Sequence, residues 1–76
     1  MIDIKNLEIN QYPSKLKKYR ISQGLTQHGL ADLSGVNIKS ITLYEQKPET
    51  INKASVSTVS ALAECCNCSI EDLLYK

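Results

Sequence analysis

Apolar residues recur along this chain at helical spacing, in short blocks separated by glycine, proline and capping residues. After Thr26, a good N-cap, Leu30 and Leu33 fall three apart on one face. Gly35 interrupts, Asn37 caps again, and Ile41 and Tyr44 repeat the three-residue spacing. The pattern predicts helices over about Gln27–Ser34 and Ile38–Gln46 joined by a short glycine-containing turn, which is the helix-turn-helix unit. Other small helical bundles share this periodicity, so the pattern alone leaves both readings open.

The flanking blocks add three more helices. Pro13 and Ser14 mark the start of a first one, with Leu16 and Tyr19 inward and Gly24 as its stop. The stretch KPETINKA has no periodicity and reads as a loop. Ser55 caps a fourth helix whose apolar positions are Val56, Val59, Leu62, Ala63 and Cys66. Asn67 suits the left-handed residue that ends it. Ser69 with Asp72 resembles a capping box, though Asp is shorter than the usual Glu, and opens a fifth helix with Ile70, Leu73 and Leu74 inward. Residues 1–12 form an arm in which Ile2 and Ile4, then Leu7 and Ile9, alternate with a shifted phase. That reads as a short extended segment with a break, or equally as a frayed terminus.

Composition narrows the class. Seventy-six residues make one domain, and 42% apolar content suits a folded chain, not a disordered one. Tyrosine is the only aromatic residue, so Leu, Ile and Val must supply the core. No apolar run approaches the roughly 18–20 residues that span a bilayer, and the N-terminus is unlike a signal peptide; the cytoplasm is the default. Net charge is only +1, but it is unevenly placed: residues 1–10 net −1, residues 54–76 net −2, and the stretch between nets +4. Lys15, Lys17, Lys18 and Arg20 supply most of that excess. A basic segment between acidic ones suits a phosphate-facing surface, or an ordinary solvated helix face.

The stretches LKKYR, GLTQ, LADLSGVN, SIT-x-YE and ALAECCNCSIEDLL, in that order, resemble the lambda-repressor-like (Cro/C1-type, XRE) helix-turn-helix family over about Leu16–Leu74. The resemblance implies an all-α, five-helix bundle over residues 13–76, with helix 3 in the major groove of double-stranded DNA. It implies a phosphate contact from Gln27, and base reading by Asn37, Ile38, Lys39, Ser40, Thr42 and Leu43. Gln46 and Lys47 match a loop that touches the DNA backbone, while Lys15, Lys17 and Lys18 supply long-range attraction. Arg20 and Glu45 match a buried structural ion pair. The expected function is a cytoplasmic, sequence-specific transcription regulator, a repressor in the first instance. It is expected to bind as a homodimer, with helix 5 (Leu73, Leu74, Tyr75) and the N-terminal arm as candidate dimer surfaces.

Three departures stand out. Gly29 replaces the family's frequent Glu, so helix 2 loses one arm of a capping box. The connection after Glu45 is longer than usual and contains Pro48. Ile38 and Leu43 stand where Gln, Arg, Ser or Asn commonly read bases; apolar groups meet thymine methyls but make no bidentate bond. These features fit an A·T-rich site, weak DNA binding, or a competing role as a protein-interaction module such as an antitoxin or anti-repressor partner.

Cys65, Cys66 and Cys68 invite a metal or redox reading, but a fourth ligand is missing and the only histidine, His28, belongs to another predicted helix. Core packing is the stronger reading, since buried cysteine behaves as a small hydrophobe. His28 reads as a surface histidine, with a phosphate contact as the alternative. No glycine-rich phosphate loop, nucleophile motif or paired carboxylates point to catalysis, so no cofactor, metal or enzymatic activity is expected.

Overall fold

Side-chain caps begin every α-helix in the computed structural model, which describes residues 14–75. Ser14 accepts from the Lys17 N–H and opens α1 (Lys15–Ser22), and Thr26 accepts from Gly29 N–H and opens α2 (Gln27–Ser34). Asn37 accepts from Lys39 N–H at the start of α3 (Ile38–Gln46), and Ser55 from Thr58 N–H at the start of α4 (Val56–Cys65). Ser69 and Asp72 exchange both bonds of a capping box at α5 (Ile70–Leu73). Each cap satisfies one of the four N–H groups that a helix start leaves unpaired, and contributes about 1 kcal/mol. The proposed N-terminal arm lies outside the described residues.

Helix ends are equally local. α1 and α4 both finish in a pair of backbone bonds closed by a left-handed residue. Gly24 (φ 72°) donates to Ile21 and Leu25 donates to Arg20; Asn67 (φ 58°) donates to Glu64 and Cys68 to Ala63. The second bond of the first pair turns the Leu25 carbonyl back toward α1, and the site uses it.

All regular structure among the described residues is helical, and every element contributes to one core. Leu16 from α1, Leu30 from α2, Ile41 from α3, Val59, Leu62 and Ala63 from α4, and Leu73 from α5 are buried, with Cys66 beside them. α2 packs on α3 and α4, α1 on α3 and α5, and α4 on α5. This all-α, five-helix bundle, with a helix-turn-helix at α2 and α3, has the architecture that the resemblance implies.

Four sequence readings are corrected. KPETINKA is no loop: Pro48–Lys53 form a 3₁₀ helix packed on α3, and Ile51 within it is core. Its lone apolar residue cannot establish a period, whereas proline at N1 suits a helical start. Leu33 does not follow Leu30 inward; it is 65% exposed, while Leu30 is fully buried. Val56 belongs angularly to the buried stripe of α4 but overhangs at its first turn, 74% exposed. Leu73 is committed to the core and offers nothing to a second protomer, whereas Leu74 is half-buried and Tyr75 exposed. Tyr75 lies beyond the end of α5 and is held by a neighbouring element. Asn52 of the 3₁₀ helix accepts from its N–H (2.9 Å) and donates to its carbonyl (2.8 Å), as a neighbouring strand would.

Candidate nucleic-acid interface

Two stripes of α3 with opposite fates define the candidate site. The 3.6-residue repeat places Ile38, Thr42 and Glu45 along one line and Lys39, Leu43 and Gln46 along another. The first line faces α2 and is wholly or partly buried; the second is exposed.

Glu45 anchors the first stripe. Its side chain is 4% exposed and receives the Arg20 guanidinium (10% exposed) through two parallel bonds, Nε to Oε2 at 2.7 Å and Nη2 to Oε1 at 3.0 Å. Fork-on-fork geometry of this kind is what arginine provides and lysine does not. The remaining Nη1 donates to the Leu25 carbonyl at 2.7 Å, using the oxygen that the end of α1 presents. Gln27 donates from Nε2 to Glu45 Oε1 at 3.0 Å, so α1 and α2 converge on one carboxylate of α3, and the α1–α2 turn holds the arginine that reaches it. No buried side-chain polar atom among the described residues lacks a partner. Burial without orphans is the condition under which such a pair is tolerated.

Thr42 belongs to this network. Its hydroxyl lies 3.0 Å from the Ile38 carbonyl and 3.3 Å from Gln27 Oε1. It therefore faces α2, away from the exposed stripe. Asn37 is also engaged: its Oδ1 accepts from Lys39 N–H at 2.7 Å as the helix cap. An amide oxygen carries two lone pairs, so the cap leaves Asn37 one acceptor position on Oδ1 beside its Nδ2 donors. Ile38 and Ser40 are half-buried on either flank. Lys39 and Leu43, the latter 44% exposed, are the expected readers that carry no structural duty. Gln46 shares their line as an exposed residue, a placement that the seven-residue step from Lys39 already contained.

At the start of α2, Thr26 caps the Gly29 N–H, while those of Gln27 and His28 lie ahead of the helix ladder. His28 is exposed. The expected phosphate-facing lysines divide. Lys17 and Lys18 stand exposed on the outer face of α1. Lys15 turns toward α5, where its charge adds to the Ser69 hydrogen bonds that hold the Asp72 carboxyl below the usual range, and it borders a crevice with Tyr44, Ile51 and Tyr75. Lys47 is exposed at the end of α3.

The cysteines sit behind the site. Cys66 is fully buried, and Cys65 and Cys68 are half-buried. Burial first, then the neighbouring Cys68 and Cys65 thiols and the Glu45 carboxylate, push the Cys66 thiol up to about 11 against an opposing effect of Arg20. A thiol held protonated in this way is a poor nucleophile and metal ligand. Burial, then Asp72, raises Cys68 as well. No group of three or more His, Cys, Asp or Glu side chains among the described residues is arranged to hold a metal ion. No described helix is long and apolar enough to cross a membrane.

No curated protein and no solved structure gives a match to the chain. A family model described as helix-turn-helix matches residues 16–73, from the first core leucine of α1 to the last of α5. With the α2–turn–α3 unit, the Arg20–Glu45 pair and the exposed α3 stripe, this match shows that the chain belongs to the lambda-repressor-like (XRE) family of DNA-binding helix-turn-helix regulators.

Proposed function

We propose that this protein is a sequence-specific double-stranded DNA-binding repressor of transcription, acting as a homodimer and as a binding protein, not an enzyme. The observation that carries the reading is the exposed α3 stripe, where Lys39 and Leu43 lie outside the core and their side chains cap no helix. In the major groove Lys39 donates to guanine acceptors and Leu43 covers a thymine methyl, with Ile38 and Ser40 at the margins. Gln27 and Lys47 contact phosphates, and Lys15, Lys17 and Lys18 add long-range attraction. An apolar reader in a short polar set favours operators rich in A·T pairs. Two protomers on a palindrome would place half-sites about 34 Å apart or at a multiple of that spacing.

Selection from randomised duplexes at physiological salt tests this. Enrichment of a palindrome with one-turn spacing supports it. Retention of only salt-sensitive background binding sinks it in favour of a protein-interaction module. The exposures of Leu43 (44%) and Leu33 (65%) are the features that favour that second reading.

A further inference from the structure

We propose that Thr42 and Glu45 are positioning residues that lock the Gln27 side-chain amide with its nitrogen toward Glu45, and that Thr42 is not a base reader. The inference rests on the DNA-binding reading above for its functional consequence, but its structural content stands by itself.

Amide orientation here follows from chemistry. A carboxylate accepts and cannot donate, so the Gln27 atom 3.0 Å from Glu45 Oε1 must be the NH₂ group. That choice turns the Gln27 carbonyl to Thr42, whose hydroxyl lies 3.3 Å from it. The hydroxyl has one hydrogen, shared between this oxygen and the Ile38 carbonyl at 3.0 Å. In the flipped alternative, Gln27 oxygen would oppose a carboxylate oxygen that Arg20 holds in place.

Two consequences follow. The second N–H of Gln27 Nε2 has no partner among the described residues, so a donor at the start of α2 is set in advance for an anion. A donor whose orientation is already set loses less entropy on meeting phosphate than one on a free glutamine. The Thr42 hydroxyl hydrogen is consumed within the protein, so the third polar position of the recognition helix contributes no donor to the groove. Three residues spread over two helices, Gln27, Thr42 and Glu45, act as one phosphate-contacting unit, with Arg20 as its rear anchor.

Nuclear relaxation of side-chain amide nitrogens in the free protein is the direct test, with exposed Gln46 as the flexible reference. The proposal expects Gln27 to be rigid beside a mobile Gln46, and to loosen in Thr42→Val. Equal mobility of Gln27 and Gln46 in the unaltered protein overturns it, whether or not any duplex binds. On DNA, Thr42→Val is expected to weaken every duplex by the same factor, about two- to tenfold. The salt slope should stay unchanged, as in Gln27→Ala, because a neutral amide meets a phosphate without neutralising it. Adding Thr42→Val to Gln27→Ala should then change nothing further, and the selected consensus should stay the same. A change of preferred base at one operator position would make Thr42 a reader and refute the proposal. A loss of thermal stability with the affinity for every duplex unchanged would also refute it, by reducing Thr42 to a packing residue. If the unaltered protein selects no sequence, the functional reading fails while the relaxation result still decides the orientation of Gln27.

Discussion

The inner and outer stripes of α3 are built from nine consecutive residues and share one backbone, yet they answer to different demands. Along the inner line, Glu45 and Thr42 are engaged by Arg20 and Gln27, and each polar atom has a partner within the fold. Along the outer line, Lys39, Leu43 and Gln46 meet solvent and have no partner to satisfy. Chemistry on the inner stripe is constrained by the cost of an orphaned group; chemistry on the outer stripe is open to selection by a ligand.

Breaking the inner stripe has the largest expected effect. Glu45→Ala leaves the buried Arg20 guanidinium without its carboxylate and frees Gln27, and should cost about 3–5 kcal/mol in urea unfolding. Leu43→Ala on the outer stripe should stay within about 0.5 kcal/mol. An equal loss from both would erase the distinction. The α2 leucines sharpen the same contrast: Leu30→Ala opens a cavity and should cost about 2–5 kcal/mol, whereas Leu33→Ala should be nearly silent.

Lys39→Ala tests the outer stripe by function. Its thermal midpoint should match that of the unaltered protein, while DNA affinity falls by about 1–3 kcal/mol on the selected operator and less on others. Gln27→Ala should lower affinity on all duplexes alike.

Smaller effects lie at the helix starts. Gly29→Ala replaces a flexible residue inside α2, but its methyl would come 3.2 Å from the Thr26 hydroxyl that caps the helix. Thr26 is exposed and has room to shift, so the substitution should stabilise the protein by about 0.5 kcal/mol, short of the full ~1 kcal/mol that glycine costs in a helix. The smallest effect concerns Asp72. The Ser69 N–H and hydroxyl hold its carboxyl below the ordinary carboxylate range against an opposing effect of burial, with a smaller contribution from Lys15. A lowered native value means that the capping box contributes fully above the unfolded value of about 4 and is lost as pH falls through the native one. Carboxyl titration by NMR should show this depression, and Asp72→Asn should flatten that part of the acid limb.

Local signals were read well from the chain because their physics is local. Thr26, Asn37, Ser55 and Ser69 cap groups two or three residues away, and Gly24, Gly35 and Asn67 adopt the positive φ that ends a helix. Ile51 escaped notice because one apolar residue in a polar heptad has no period to display. Leu33 and Val56 misled because periodicity gives an angle around a helix but not whether a neighbour is present at that height. The engagement of Thr42 and Asn37 escaped notice for a related reason: a polar side chain near the groove counts as free only when its partners are known. The two partners that engage Thr42 are four and fifteen residues distant in the chain.

The sequence by itself determined the helices, their caps and ends, the helix-turn-helix order, the family and the Arg20–Glu45 pairing that the family implies. Each depends on neighbours within a turn or on a motif of fixed spacing. Only the tertiary structure decided which of two leucines is core, that the connection after α3 is a 3₁₀ helix, and which α3 side chains are consumed within the protein. Those outcomes depend on what stands opposite a residue in space, and chain order alone does not specify that.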